Sequence, residues 1–163
     1  VRTALLVALL ALPTVLYSAP QEFGSLDGPP AKSHQFVAYQ SEQLVVPAGK
    51  RAVLELRFRV EDGYHVNSHT PKSDLQIPTR VELEGAAGVK LAAAEYPAGK
   101  SYSFSFDPKE KLDVYQDWFV VKVPVVASAG AHEVKGALKY QACDHAACYP
   151  PKTLPVTLMF TAK

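Results

Sequence analysis

Several things are scarce in this sequence, and each scarcity narrows what the chain can be. Charge of either sign is not in excess: 17 Lys and Arg against 16 Asp and Glu leave a net +1. No basic stripe stands out, so neither nucleic acid nor an anionic membrane surface is an expected partner, since both select clustered cations. Beyond the N-terminus no apolar run approaches the roughly 20 residues that a membrane-spanning helix needs. Stretches of helical period are missing too, and the 13 prolines would break most candidates. Only two cysteines and one tryptophan occur. The antibody pattern of two distant cysteines around a core tryptophan is therefore absent. Nor is the pair, Cys143 and Cys148, a Cys-x-x-Cys motif, and no helix begins there to lower a thiol pKa.

What is present begins with a targeting pattern. Arg2 supplies a positive end, Ala4 to Leu16 is nearly unbroken apolar sequence, and Ser18 and Ala19 are small. The run is too short to span a bilayer and matches a secretory signal peptide, expected over residues 1–19. Tyr17 sits where a small residue is usual, which leaves an uncleaved anchor as the alternative. Residues 20–33, rich in Gly and Pro, read as a flexible leader. Export, to the periplasm or a comparable space, makes two cysteines close in sequence an expected disulfide.

From residue 34 onward, alternation of period two recurs. Leu54, Leu56, Phe58 and Val60 make one row, and Phe119, Val121, Val123 and Val125 a second. Val134, Leu138 and Tyr140 make a third, and Leu154, Val156, Leu158 and Phe160 the last. Turn signals at Pro47 to Gly49, Asp62-Gly63, Gly85 to Gly88, Pro97 to Gly99, Asp107-Pro108 and Ala129-Gly130 separate such rows. One-sided rows imply sheets with one covered face. The expected fold is all-β, an immunoglobulin-like β-sandwich over residues 34–163, with the cysteine pair in a loop between the last two long strands.

That loop, Tyr140-Gln141-Ala142-Cys143-Asp144-His145-Ala146-Ala147-Cys148-Tyr149-Pro150-Pro151, admits three readings. A structural staple is the plainest, although so short a closed loop stabilises by only about 2 kcal/mol. A metal site is the second, with Cys143, His145 and Cys148 as ligands and His65 and His69 as additional nitrogens; the matched second pair of a zinc site is missing. Thiol–disulfide exchange is the third, because a loop at the edge of a rigid sandwich is accessible yet well held. His145 would favour a thiolate and Asp144 oppose it.

With its surroundings, the loop resembles the N-terminal periplasmic domain of the thiol:disulfide interchange protein DsbD family. The shared pieces are Asp62-Gly63-Tyr64-His65 with Pro71, Tyr96-Pro97-Ala98-Gly99-Lys100, Leu112-Asp113-Val114-Tyr115, Tyr140-Gln141-Ala142-Cys143, and Cys148-Tyr149-Pro150-Pro151. Together they cover about residues 34 to 161. The resemblance implies a periplasmic module that takes electrons from a membrane-embedded donor by way of a thioredoxin-like domain. It passes them to thioredoxin-fold clients such as disulfide isomerases and cytochrome c maturation factors. No cofactor or metal is implied beyond the cysteines. By the same analogy Cys148 forms the mixed disulfide and Cys143 resolves it. A cap loop is expected at Ser101 to Pro108, with Phe104 or Phe106 as its ring. Ser103 and Ser105 stand where the family's cap is acidic, and Asp107 lies further along. The family's transmembrane and C-terminal domains do not fit in this length, so the donor is expected on a separate chain.

The supporting residues also have plainer explanations. Phe104 and Phe106 alternate with serines as a half-buried strand would. Tyr140 fits the inward row of its strand, and Tyr149 flanks the pair. Trp118 reads as a core or edge aromatic, and His65 and Asn67 as solvated residues after a turn.

Overall fold

The computed structural model describes residues 34–163. The expected signal peptide and leader lie outside the described residues. Within them the chain is all-β, and no helix is long and apolar enough to cross a membrane.

Two four-stranded sheets face each other as a sandwich. The first has the order β1 (Val37–Gln40), β3 (Arg51–Val60), β9 (Trp118–Ala127) and β6 (Val89–Leu91). The second has the order β2 (Leu44–Val46), β12 (Lys152–Ala162), β10 (Gly130–Tyr140) and β5 (Arg80–Leu83). Neighbours run antiparallel except β2 and β12, which are parallel. Register follows from the apolar rows. Leu54 stands opposite Val123, Leu56 opposite Val121 and Phe58 opposite Phe119, all facing inward and buried. Val134 likewise opposes Leu158 on the second sheet. Sliding either pair by one residue would turn these rows to water. Each buried Leu, Val or Phe stabilises by about 1.5–3 kcal/mol, so the register is firmly held.

Trp118 is not in that core. It lies on the outer face of β9, 52% exposed, with the guanidinium of its cross-strand partner Arg59 6.0 Å from the ring centroid. A residue that begins a strand opposite an outward-facing arginine must face outward with it.

A third sheet, β11 (Ala142–Cys143), β4 (His65–Asn67), β8 (Leu112–Tyr115) and β7 (Lys100–Tyr102), caps one end. β11 belongs to the link between β10 and β12, so the cysteine segment joins the last two long strands, as the alternation requires.

The disulfide hairpin and its surroundings

Residues 142 to 149 form a short hairpin. Tyr149 N donates to Ala142 O at 2.8 Å, and Asp144 N donates to Ala147 O at 2.9 Å. Cys143 and Cys148 face each other between these two bonds, with Cα atoms 3.9 Å apart and a disulfide between the sulfurs. A non-hydrogen-bonded antiparallel pair brings side chains closest, which is why a five-residue separation suffices to join them. The two sulfurs differ in access: Cys143 is buried and Cys148 exposed.

The turn is held from within by Asp144. Its Oδ1 accepts from Ala146 N at 2.7 Å and Ala147 N at 2.8 Å, and its Oδ2 accepts from the Tyr149 hydroxyl at 2.7 Å. The Tyr149 bond, then the two amides, hold this carboxyl at about 2, while the same bond pushes the phenol up to about 12. An Asp that accepts amides two and three residues ahead is a turn-forming device. Weighed in the sequence only as a charge opposing a thiolate, Asp144 is the hairpin's organiser. His145 sits exposed at the tip.

The base of the hairpin is clamped by Gln141. Its Oε1 accepts from Asn67 Nδ2 at 3.3 Å and its Nε2 donates to Tyr149 O at 3.2 Å. Asn67 Nδ2 also donates to Ile77 O at 3.0 Å, tying in the loop before β5. Asn67 and His65 are therefore not solvated loop residues: both lie on β4 and are 1% exposed. The turn at Gly63, whose φ is +87°, leads directly into β4, where the sequence suggests a solvated loop. Pairing with β11 and β8 then closes both edges of β4.

His65 stands directly opposite Cys143, and Asn67 opposite Val114. Cys143, His65, Asn67, Val114 and Leu112 share one face of the third sheet and are all buried, yet the cysteine and the two apolar residues stand apart from the main core. They form a small core of their own. The stretch expected as a cap lies against its histidine: the Tyr102 ring is 4.1 Å and the Phe104 ring 5.9 Å from the His65 ring. No strand continues past Tyr102, so the alternation of Phe104 and Phe106 with serines is not strand-like. Phe106 stacks on Phe104 at 4.9 Å and is 68% exposed. Ser103 Oγ accepts from Lys111 Nζ, and Asp107 Oδ1 from Lys109 and Glu110 amides. The cap thus turns its polar groups onto itself.

Tyr140 acts elsewhere. Fully buried at the end of β10, its hydroxyl accepts from Phe36 N and donates to Gln35 Oε1, fixing the chain's entry into β1. Phe36 then packs 4.7 Å from both Tyr64 and Tyr149, an aromatic wall behind the hairpin that the sequence did not reveal. His69 is stacked on Tyr96 at 3.7 Å, with Nδ1 near Thr79 O, and does not turn to the cysteines. Among the described residues no group of three His, Cys, Asp or Glu is placed to hold a metal.

The remaining shared pieces build the platform for the cap. The Tyr115 hydroxyl donates to Pro97 O at 3.0 Å and accepts from His69 N, while the Tyr96 hydroxyl accepts from Val81 N at 2.7 Å. Gly99 lies so close to Asp113 that a Cβ would overlap the carboxylate.

The sequence model of the family described as thiol:disulfide interchange protein DsbD, N-terminal, matches residues 33–159. The DsbD protein of Actinobacillus pleuropneumoniae serotype 5b (strain L20) is 26% identical over 106 residues, 64% of this chain but 15% of that protein. The N-terminal periplasmic domain of ScsB from Proteus mirabilis shares the fold at 9% identity and TM-score 0.50, over 75% of this chain and 44% of that one. The reduced DsbD N-terminal domain of Neisseria meningitidis aligns at 21% identity and TM-score 0.44, over 67% of this chain and 81% of that one. With the family's pattern spanning the hairpin, its clamp and the cap platform, this chain belongs to the DsbD N-terminal domain family.

Proposed function

We propose that this domain relays reducing equivalents through reversible opening of the Cys143–Cys148 disulfide. The observation that carries the reading is the unequal access of the two sulfurs, Cys148 exposed and Cys143 buried. A donor thiolate attacks Cys148 Sγ, the intramolecular S–S bond breaks, and its electron pair leaves on Cys143 Sγ. A second donor thiolate then attacks its own sulfur in the mixed disulfide and releases the reduced pair. Toward a client the same exchange steps run with the domain as the donor. The Cys148 thiolate attacks the client disulfide, Cys143 attacks Cys148 Sγ, and the client leaves with two electrons. Thioredoxin-fold proteins suit both roles, with a membrane-embedded protein as the ultimate donor and the periplasm as the compartment. Phe104, on Tyr102 and His65, is the cap ring, and Phe106 the outer ring met first by a partner.

The test is the redox equilibrium of the pair in a series of thiol buffers. A potential between about −180 and −270 mV with rapid equilibration is expected, the range of exchange proteins. A potential below about −300 mV with slow reduction overturns the reading and marks a structural disulfide. In parallel, Cys143→Ser is expected to accumulate a mixed disulfide through Cys148, and Cys148→Ser to abolish exchange. Normal transfer by Cys143→Ser would refute the two-cysteine mechanism.

A further inference from the structure

Buried polar side-chain atoms without a partner are rare in folded proteins, and each asks for a reason. Nε2 of His65 is such an atom, in a residue 1% exposed. It occupies the register position opposite Cys143. Directly opposed residues on one sheet face have Cβ atoms about 5 Å apart, so imidazole and sulfur are neighbours. The oxidised sulfur is a feeble acceptor. Reduction changes this, because a thiolate on Cys143 would appear in the same buried setting, where an unpaired charge is disfavoured.

Building on the exchange reading above, we propose that His65, as the neutral Nε2–H tautomer, donates the hydrogen bond that holds Cys143 as a thiolate when the disulfide opens. As the S–S bond breaks, the departing electron pair settles on Cys143 Sγ and the imidazole N–H turns to it; no proton is transferred. When Cys143 attacks back at Cys148 Sγ, the hydrogen bond is given up and the partner's thiolate is expelled. Covering by Tyr102 and Phe104 keeps the imidazole out of water, and burial holds it near 4, with Asp144 pulling the other way. It is therefore neutral at physiological pH. The groups facing it are Cys143 and Asp144 from the hairpin, Tyr102 from β7 and Phe104 from the cap, with apolar Val114 of β8 on the same face. Asp144, already bound to Tyr149 and two amides, opposes a thiolate by its charge, and His145 is exposed at the tip, which leaves His65 as the buried side chain that favours one.

The experiment isolates Cys143 in the Cys148→Ser protein and follows its ionisation by ultraviolet thiolate absorbance against pH. Adding His65→Phe, which keeps a ring against Tyr102 and Phe104, is expected to raise the Cys143 pKa by about one unit. That is roughly a tenfold smaller thiolate fraction at a fixed pH below it. Adding His65→Gln instead, which restores an N–H donor, is expected to recover part of the loss. An unchanged pKa in a folded His65→Phe protein overturns the proposal. Should that variant not fold, nitrogen chemical shifts of His65 in the Cys148→Ser protein decide: the Nε2–H tautomer supports it, and the Nδ1–H tautomer sinks it. Because no partner is involved, these outcomes are separate from the redox potential that tests exchange itself.

Discussion

The hydroxyl of Tyr149 donates to Oδ2 of Asp144 at 2.7 Å, bracing the disulfide hairpin from its exit strand back to its turn. The same carboxylate holds two amides of the turn, so one side chain sets the loop's shape and anchors it to the aromatic wall of Phe36 and Tyr64. Cys148 lies between Asp144 and Tyr149 in sequence, and its presentation depends on that brace.

Replacing the acceptor should release the phenol. In Asp144→Ala, the Tyr149 pKa is expected to fall from about 12 toward the ordinary tyrosine value, because its largest perturber is gone. Absorbance titration of wild type and variant checks this. A high-pKa tyrosine surviving in the variant would show that the brace does not exist in solution.

Gln141→Ala should loosen the base of the hairpin without touching the sulfurs. It removes the donor to Tyr149 O and one acceptor of the buried Asn67 amide, which keeps Ile77 O. A loss of about 1–2 kcal/mol is expected for two such bonds, partly compensated by water. Urea unfolding of the oxidised protein reads it, and an unchanged midpoint would deny the clamp any part in stability.

Stability should decline in acid in two windows. His65 has its folded value near 4 against an ordinary 6.5, so the unfolded chain binds the extra proton as pH falls between these values. Stability is full above about 6.5 and is lost by roughly 2–3 kcal/mol by pH 4. Asp144, folded near 2 against 3.8, continues the loss in the same direction between those values. Melting temperatures across pH are the measurement. His65→Phe should flatten the upper window alone; a slope that persists there belongs to another group.

The two cap rings should behave differently. Phe104→Ala removes a ring packed on His65, the residue opposite Cys143, and is expected to open Cys143 Sγ as a second point of attack beside the exposed Cys148, speeding reduction of the disulfide by a small thiol severalfold. Phe106→Ala removes a ring that is 68% exposed and should change stability by less than about 0.5 kcal/mol. Equal reduction rates in wild type and Phe104→Ala would mean the cap does not shield Cys143.

Gly99→Ala should cost about 1–3 kcal/mol, since the new methyl overlaps the Asp113 carboxylate, which must swing aside or push β7 away from β8. Chemical denaturation reads it, and a tolerated alanine would mean the platform under the cap is plastic.

Much of this protein is written locally. The rows Leu54 to Val60, Phe119 to Val125, Val134 to Tyr140 and Leu154 to Phe160 alternate because each strand has one buried face, and alternation is visible one residue at a time. The same rows placed the cysteine segment between the last two long strands, and its Tyr-Gln-x-Cys and Cys-x-Pro-Pro ends carried the family. What each residue of that segment does was decided elsewhere in the chain. Cys143 is buried and Cys148 exposed because β11 pairs with β4, far back in sequence, and the Tyr102 ring of β7 lies against His65 on that side. That pairing also turned His65 and Asn67 from apparent loop residues into the buried floor of the site, and Arg59 drew Trp118 to the surface. Period and turn chemistry reach only a few residues along the chain. The access of a sulfur and the partner of an imidazole depend on which distant strand closes over them, and only the folded structure sets that.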